Sequence, residues 1–334
     1  MSAPIRLLSQ ADIAKLMRPS DYLEAVEAGF RAAKQGRADS PPPMHLHSQD
    51  GEFHAKGASY DNGRPYVALK LNGNFPSNPQ LNGLPTIQGA ILLADAANGS
   101  LLAILDSAEV TLQRTAAATA LAARHLARPD SAIVCMVGCG GQALPQLTAL
   151  LGVLPIRQCL AFDMDADKAG EFASNALARF DIDCDVASDL HQAALLADVI
   201  VTVTSARTPI LEVEDVKPGT FIAAVGSDSP DKNEIAPALM AASTVVVDVL
   251  EQCVVMGDLH HAIAAGAMAE QDVHADLGDV VMGTAPGREG ADQIIIFDST
   301  GTALEDAASA ALIYERAMEK GTGTDLLLAK PLVS

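Results

Sequence analysis

Residues 132–143 read AIVCMVGCGGQA, an apolar run of strand type that passes through glycines into a helical stretch. Gly138, Gly140 and Ala143 form the pattern GxGxxA, a variant of the fingerprint that binds dinucleotides between a strand and a helix. Gly138 allows a tight turn, Gly140 lets a pyrophosphate approach the backbone, and Ala143 permits close packing of helix on strand. We therefore predict a dinucleotide site here, with a plain glycine turn as the alternative.

The chain on either side of this motif alternates between strand and helix. Strands are predicted at 132–138, 158–163, 198–205, 220–227, 244–249 and 293–301, and helices at 141–152, 166–180 and 305–321. Continuous apolar runs of this kind are typical of buried parallel strands. Asp163 ends the strand that follows the motif, where a carboxylate can accept hydrogen bonds from ribose hydroxyls and would repel a 2′-phosphate. We predict NAD(H) as the cofactor, with NADP(H) as the less favoured one.

The N-terminal part of the chain has a different pattern. A helix at 19–36 with Ser20 as its cap, period-two strands at 44–47, 53–60 and 66–73, a hairpin at 87–106 and a helix starting at 114 are predicted. These elements indicate an α+β piece, followed by a parallel α/β piece over about 125–300. We expect the last helix, at 305–321, to return to the first piece.

Composition limits the class of protein. A length of 334 residues suggests two domains, and the net charge of −20 makes nucleic acid and anionic membrane poor partners. No run approaches the roughly 18–20 apolar residues that a membrane-spanning helix requires. The five cysteines are odd in number and lack a CxxC pair, so we expect buried, reduced thiols and a cytoplasmic location.

The N-terminal strands depart from the acidic balance. The cationic or titratable side chains in or near them are His45, His47, His54, Lys56, Lys70 and, at the predicted helix start, Arg114. Clustered cations suit carboxylate recognition, although a solvated strand face is the simpler interpretation. Three histidines could also ligate a metal. Because we place no carboxylate or thiolate in these strands, we predict no metal site.

Five segments together resemble the ornithine cyclodeaminase/μ-crystallin family over nearly the whole chain. They are LPTIQG (84–89), QRTAAATA (113–120), GCGGQA (138–143), VGSDSPDKNEI (225–235) and FDSTGTALED (297–306). The resemblance implies an α/β fold with a Rossmann domain over 123–304 and a split α+β domain over 1–122 and 305–334. It also implies that the split domain binds a small imino or amino acid and forms a homodimer.

The resemblance further implies roles for individual residues. Lys70 matches a substrate-binding lysine, Arg114 a carboxylate-binding arginine and Asp228 an acid that handles the substrate nitrogen or a water, so these three are the predicted catalytic residues. The positions expected to contact the dinucleotide are Thr86, Arg114, Gly138, Gly140, Gly141, Gln142, Asp163, Thr202, Ser227, Lys232 and Ser299.

The chain departs from the cyclodeaminase pattern at one place. His45 stands where that pattern has an arginine, and residues 54–57, HAKG, replace its Met-Pro-Ala segment. We expect added His and Lys to repel the cationic side chain of ornithine, and His45 and Lys56 to bind a distal carboxylate. The prediction is an NADH-dependent reductase of an α-imino acid such as iminosuccinate. The alternatives are ornithine cyclodeaminase, a ketimine or pyrroline-2-carboxylate reductase, and a non-catalytic NAD(H)-binding protein of crystallin type.

Overall fold

The computed structural model describes residues 4–328. The strands are β1 (Ile5–Leu8), β2 (Ala38–Asp39), β3 (Met44–His47), β4 (Glu52–Asp61), β5 (Pro65–Asn74), β6 (Ile87–Asp95), β7 (Leu101–Asp106), β8 (Ile133–Val137), β9 (Gln158–Phe162), β10 (Asp183–Val186), β11 (Val199–Thr202), β12 (Arg207–Leu211), β13 (Phe221–Ala224), β14 (Asn233–Ile235), β15 (Thr244–Val247), β16 (Ala275–Asp276), β17 (Ile295–Asp298) and β18 (Thr324–Leu326). The helices are α1 (Gln10–Leu16), α2 (Pro19–Lys34), α3 (Asn78–Leu81), α4 (Ser107–Leu126), α5 (Ala143–Leu151), α6 (Ala166–Arg179), α7 (Leu190–Leu196), α8 (Pro237–Ala241), α9 (Leu250–Cys253), α10 (Asp258–Ala264), α11 (Leu277–Met282) and α12 (Ala303–Lys320).

The chain divides into two compact units. The first comprises Met1–Arg114 with Thr302–Ser334, and the second comprises Thr115–Gly301. The boundaries fall before the predicted ones, at 122 and 304, and the first of them lies within α4, which continues through it without a break. The assignment of substrate binding and dimerisation to the first unit stays a prediction.

The first unit is built on an eight-stranded sheet with helices on one face. Its main path is β18-β1-β7-β6-β5-β4-β2, with β3 paired to β4, and only β1 and β7 are parallel. Helix α12 packs against α2 and against β4 and β5. The two helices approach closely at Gly29, where an added Cβ would lie 3.2 Å from Cβ of Ala308. The predicted strands and hairpin are confirmed.

The two faces of this sheet carry an unusual distribution of residues. On the helix-covered face, one row of directly paired residues runs Leu8, Leu105, Ile91, Lys70, Lys56, and all five are buried. The neighbouring row on the opposite face runs Leu7, Ile104, Leu92, Leu69, and its three leucines are 39–47% exposed. The lysines therefore lie on the covered face of the sheet and the leucines on its exposed face.

The second unit has a parallel sheet of order β10-β9-β8-β11-β13-β17-β15-β16. Its central strands β8, β11, β13 and β17 are almost entirely buried, which accounts for their continuous apolar sequences. Each predicted strand of this region is present, so the α/β prediction is confirmed. The structure adds a small parallel pair, β12 and β14, which the sequence did not indicate.

The cap of α2 and the start of α4 differ from the predictions. Helix α2 begins at Pro19, so Ser20 lies inside its first turn, and the carboxylate of Asp21 accepts a hydrogen bond from the backbone N–H of Arg18 at 2.7 Å. Helix α4 begins at Ser107, seven residues before the predicted start at Arg114. Its first turn is capped by Asp106, which accepts from the N–H of Glu109 at 2.9 Å.

The five cysteines are all buried free thiols, as predicted. Across residues 4–328, no helix combines the length and the apolar composition that crossing a bilayer requires.

Candidate active site

Three cationic side chains are buried together in the first unit. Lys56 and Lys70 lie directly opposite each other on β4 and β5, and Arg114 projects from the middle of α4. Their exposed fractions are 8%, 4% and 5%. We call these three residues the cation cluster. It brings together three of the four residues predicted to bind substrate.

Two carboxylates from the first turn of α12 lie against the cation cluster. Oδ2 of Asp306 is 2.5 Å from Nζ of Lys70, and Oδ1 of Asp306 accepts from Nε of Arg114 at 3.1 Å. Glu305 accepts from Nη1 of Arg114 at 2.8 Å. Both acids are buried. Neither acid was predicted to belong to the site, because acids in the first turn of a helix are ordinary partners of the helix dipole.

Burial changes the protonation chemistry of Lys70. It disfavours the charged ammonium and lowers the pKa of Lys70 to about 8, with Arg114 and Lys56 acting in the same direction and Asp306 opposing them. Burial acts to raise the pKa of Asp306, but the charges of Lys70 and Arg114 outweigh it and hold that pKa below its usual value. Lys70 can therefore exchange a proton near neutral pH while Asp306 stays ionised.

The acids of α12 also change the charge expected of this region. The cation cluster supplies three positive charges and the two acids supply two negative ones, so one positive charge remains. His45 adds none near neutral pH, because burial and the neighbouring His54 lower its pKa. The predicted cations therefore lie together, but acids from a distant part of the sequence offset two of their three charges, and carboxylate binding there stays a prediction.

A group of histidines and a glutamate lies next to the cation cluster on the same strands. His45 of β3 is paired with His54 of β4, and their ring centroids are 4.5 Å apart. Nε2 of His54 is 3.0 Å from Oε1 of Glu52. The prediction that these strands hold no carboxylate is wrong, because β4 begins at Glu52.

The glycine motif of the second unit forms an open loop between β8 and α5. Gly138 has φ of +92°, and an added Cβ there would lie 2.9 Å from Cγ2 of Thr204. That backbone conformation and that contact require glycine. A Cβ added at Gly140 or Gly141 would meet no atom within 4 Å, so the outer side of the loop leaves room for a ligand.

Polar groups around this loop fit a dinucleotide. Asp163 accepts from the backbone N–H of Cys139 at 2.8 Å and from that of Asp165 at 2.9 Å, which fixes its carboxylate beside the loop. Oε1 of Gln142, the residue before α5, is buried and has no hydrogen-bond partner within the described residues. A ligand with hydroxyl donors and a pyrophosphate would satisfy such groups at a helix N-terminus.

The other predicted cofactor residues of the second unit lie along the same edge of its sheet. Gly138 follows β8, Asp163 follows β9, Thr202 ends β11, Ser227 lies beyond β13 and Ser299 follows β17. Because these strands are parallel neighbours, their carboxyl ends meet at one edge. Open parallel sheets bind ligands at this edge.

Glu234 holds two of the loops at that edge, the one after β11 and the one after β13, and was not predicted. It accepts from the hydroxyl of Thr202 at 2.7 Å, from the N–H of Thr204 at 2.7 Å and from the N–H of Gly226 at 2.8 Å. Thr202 is fully buried and its hydroxyl donates to Glu234, so it supports these loops, and its contact with the cofactor stays a prediction. Residue-type patterns gave no signal for Glu234, because its partners come from separate strands.

The loop after β13 carries Asp228 and Lys232. Nζ of Lys232 is 2.6 Å from Oδ1 of Asp228, whose side chain is 51% exposed. The hydroxyl of Ser227 and Nε2 of His261 both donate to the carbonyl oxygen of Lys232. Two predicted cofactor residues, Ser227 and Lys232, thus shape the loop that presents Asp228.

Thr86 and Arg114 are the predicted cofactor residues that belong to the first unit. The carbonyl oxygen of Thr86, just before β6, accepts from the N–H of Phe75 at 2.8 Å. Arg114 is held by the two acids of α12. Contact of either residue with the cofactor stays a prediction.

Asp298, at the end of β17, gives this unit a distinctive pH dependence. Burial raises its pKa to about 7, although the backbone N–H groups of Leu259 and Asp258 donate to it. The folded state thus binds a proton that the unfolded chain, with a pKa near 3.8, releases. The contribution of this proton to the free energy of unfolding is complete below about pH 4 and is lost as the pH rises through about 7. It amounts to a few kcal/mol at most.

We expect Asp298→Asn to remove this part of the pH dependence. Urea unfolding between pH about 4 and about 7 should then give a flatter profile for the variant than for the wild type. An equally steep profile in both proteins would contradict the assignment to Asp298.

Comparison with known proteins places this site in a family. The family model for the ornithine cyclodeaminase/mu-crystallin family matches residues 5–321. An archaeal alanine dehydrogenase dimer with bound NAD is 35% identical, with a TM-score of 0.93 over 97% of this chain and 99% of that one. The Δ1-pyrroline-2-carboxylate reductase of Thermococcus litoralis, in complex with NADH and L-proline, is 31% identical, with a TM-score of 0.92 over 96% of this chain and 100% of that one.

A third similar structure is the iminosuccinate reductase of Paracoccus denitrificans in complex with NAD+. It is 31% identical, with a TM-score of 0.88 over 97% of this chain and 100% of that one. The family match spans almost every described residue, including the glycine loop, the cation cluster and the first turn of α12. This chain therefore belongs to the ornithine cyclodeaminase/mu-crystallin family.

Proposed function

We propose that this chain reduces an α-imino acid to an amino acid with NADH, a reaction that in reverse is an amino-acid dehydrogenation. The chain is an NAD(H)-dependent oxidoreductase, and NADH supplies the hydride. The observation that carries the substrate class is the buried cation cluster with its single excess positive charge. We propose that this charge binds the carboxylate of the substrate.

Arg114 is the residue best prepared to bind that carboxylate. Glu305 and Asp306 fix its guanidinium at 2.8 Å and 3.1 Å, so little side-chain entropy is lost when a ligand binds. Lys70 and Lys56 extend the same positive surface along one face of the sheet. A carboxylate held at a fixed position orients the adjacent C=N carbon, and such positioning accounts for much of the rate of bimolecular reactions in enzymes.

The reduction adds one hydride to carbon and one proton to nitrogen, so it requires an acid. Lys70 is our first candidate for that acid, because its pKa of about 8 leaves it mostly protonated at neutral pH yet able to release the proton. Asp228 is the second candidate. Its half-exposed carboxylate is paired with Lys232 and would act through water.

The charge balance favours substrates with one carboxylate over dicarboxylates. One excess positive charge matches the carboxylate of a 2-iminopropanoate or a pyrroline-2-carboxylate. Iminosuccinate would bring a second carboxylate toward the strands that carry Glu52. Similarity to the iminosuccinate reductase of P. denitrificans keeps the dicarboxylate as the second candidate.

A screen of imino acids with NADH and NADPH tests the proposal. Imines formed from pyruvate or oxaloacetate with ammonia, together with pyrroline-2-carboxylate, should be compared by the loss of NADH absorbance. We expect steady NADH loss, faster with the monocarboxylates. Release of ammonia and proline from ornithine without net loss of NADH would identify a cyclodeaminase instead. Binding of NADH without turnover of any imine would identify a non-catalytic protein.

We also propose that the chain forms a homodimer through the leucine-bearing face of the first unit's sheet. The exposed residues on that face include Val67, Leu69 and Leu71 of β5, which are 41–47% exposed, and Leu92 of the neighbouring β6. Leu46 of β3, two strands away from β5, lies on the same face. Contiguous apolar surface of this kind on a folded protein marks a contact site. A dimer would cover it, and the buried thiols suit a reducing compartment such as the cytoplasm.

Leu69→Glu is expected to convert the dimer to a monomer. A charge at the centre of the apolar face would be buried without a partner on association. Sedimentation velocity should give twice 34.6 kDa for the wild type and 34.6 kDa for the variant. Leu177→Glu, on α6 of the other unit and 53% exposed, is the matched control that should remain dimeric. A dimeric Leu69→Glu protein would exclude this face as the interface.

A further inference from the structure

We propose that His45, Glu52 and His54 bind one divalent transition-metal ion of zinc type. The three side chains project from one face of two paired strands: Glu52 and His54 are two residues apart on β4, and His45 is the direct partner of His54 on β3. Each offers one ligand atom, and these atoms all lie within 4.8 Å of one another. The proposal concerns metal binding alone and does not depend on which substrate the chain uses.

The positions of the donor atoms carry the argument. Nε2 of His54 and Oε1 of Glu52 are 3.0 Å apart, close to the roughly 3.3 Å between ligands of a tetrahedral zinc ion with bonds of about 2.0–2.1 Å. Nε2 of His54 is buried, and this contact lacks the alignment of a hydrogen bond, so the nitrogen has no hydrogen-bond partner in the described residues. The ligand nitrogen of His45 lies within 4.8 Å of both atoms, and its movement toward this pair would complete a three-ligand site.

The chemistry of the set selects the class of metal. Two imidazoles and one carboxylate are the ligands of zinc sites that keep one coordination position open. Imidazole nitrogen favours zinc, cobalt, nickel and copper over magnesium and calcium, which prefer oxygen ligands. The set is half-buried, so an ion could enter from solvent while its remaining position stays available to water.

Two neighbouring residues set limits on the affinity. Lys56 follows His54 by two residues on the same face, and its positive charge repels a cation. The acids Glu305 and Asp306, which lie against the cation cluster, offset part of that repulsion. His47 also lies on this face, with Nδ1 4.0 Å from Oε2 of Glu52, but its side chain is 81% exposed and it is not one of the three mutually close groups. We therefore expect one ion per chain, bound by three protein ligands.

Titration of the metal-free full-length chain tests the proposal. The protein, stripped with EDTA and dialysed, should bind one equivalent of Zn²⁺ in calorimetry. Co²⁺ should give the visible absorption bands of a low-symmetry nitrogen and oxygen site. We expect Glu52→Gln and His54→Ala each to weaken Zn²⁺ binding by at least about 100-fold, since losing a ligand costs more than losing an outer-shell partner.

Controls separate this site from adventitious binding and from misfolding. His191→Ala removes an exposed histidine that lies 2.6 Å from Asp215 in the other unit, and it should leave the affinity and the cobalt spectrum unchanged. Glu52→Gln is nearly isosteric, so its metal-free unfolding midpoint should match that of the wild type. Absence of saturable Zn²⁺ binding in the wild type, or an isotherm that neither Glu52→Gln nor His54→Ala changes, would overturn the proposal.

Discussion

Asp306→Asn is expected to lower the free energy of unfolding by about 3–5 kcal/mol, the range measured when one partner of a buried ion pair is removed. Asp306 contacts both Lys70 and Arg114, and all three side chains are nearly inaccessible to water. An amide in its place would leave buried cations with too little negative charge. Urea unfolding at neutral pH measures the change.

A surface acid of the same unit provides the matched control for Asp306. Asp325 pairs with Arg6 at 3.2 Å, but its side chain is 52% exposed, so Asp325→Asn should cost no more than about 1 kcal/mol. Because the pKa of Asp306 is held below its usual value of 3.8, its contribution is complete above that pH and is lost as the pH falls further. Equal effects of the two substitutions would show that the buried contacts of Asp306 stabilise the fold no more than a surface ion pair does.

Lys70→Met is expected to lower kcat for imine reduction by about 10²–10⁴-fold, the usual contribution of a positioned general acid. Methionine retains the length of the side chain and removes its charge and its proton. Affinity for NADH should change little, because the glycine loop and Asp163 belong to the other compact unit. Stopped-flow single turnovers with saturating NADH measure the rate, and fluorescence titration measures NADH binding.

The pH profile distinguishes Lys70 from Asp228 as the acid. If Lys70 donates the proton, wild-type activity should fall as the pH rises through about 8, where Lys70 loses its charge. Asp228→Asn should retain that descending limb. Lys168→Met, which removes a lysine that is 60% exposed, should behave as the wild type. A Lys70→Met enzyme with wild-type turnover would refute the assignment.

The fold of the second unit could be predicted from sequence because its signals are local. The glycine motif, the run at 132–138 and the terminal acid Asp163 lie within one strand–helix–strand repeat. The start of α4 could not be predicted, because β7 ends at Asp106 and the helix begins at Ser107 without an intervening turn. Val110 and Thr111 in that first part also favour strand over helix.

The site could be predicted only in part, because half of it is built by long-range packing. Lys56, Lys70 and Arg114 stood out as cations in an acidic chain, and the structure gathers them. Glu305 and Asp306 matched a common helix-start pattern and carried no sign of their partners. Their placement follows from the packing of α12 on the sheet, which no local pattern specifies.

The helix α12 also sets the order in which a newly made chain acquires its site. Residues 303–320 leave the ribosome after every strand of the first unit except β18, yet they supply the acids that neutralise Lys70 and Arg114. Until then, Lys56 and Lys70, which lie on the sheet face that α12 covers in the folded chain, lack the acids of that helix. The site can therefore be completed only after the last helix has been synthesised. A ribosome-stalled chain that ends before residue 303 should be unable to form the carboxylate-binding cluster.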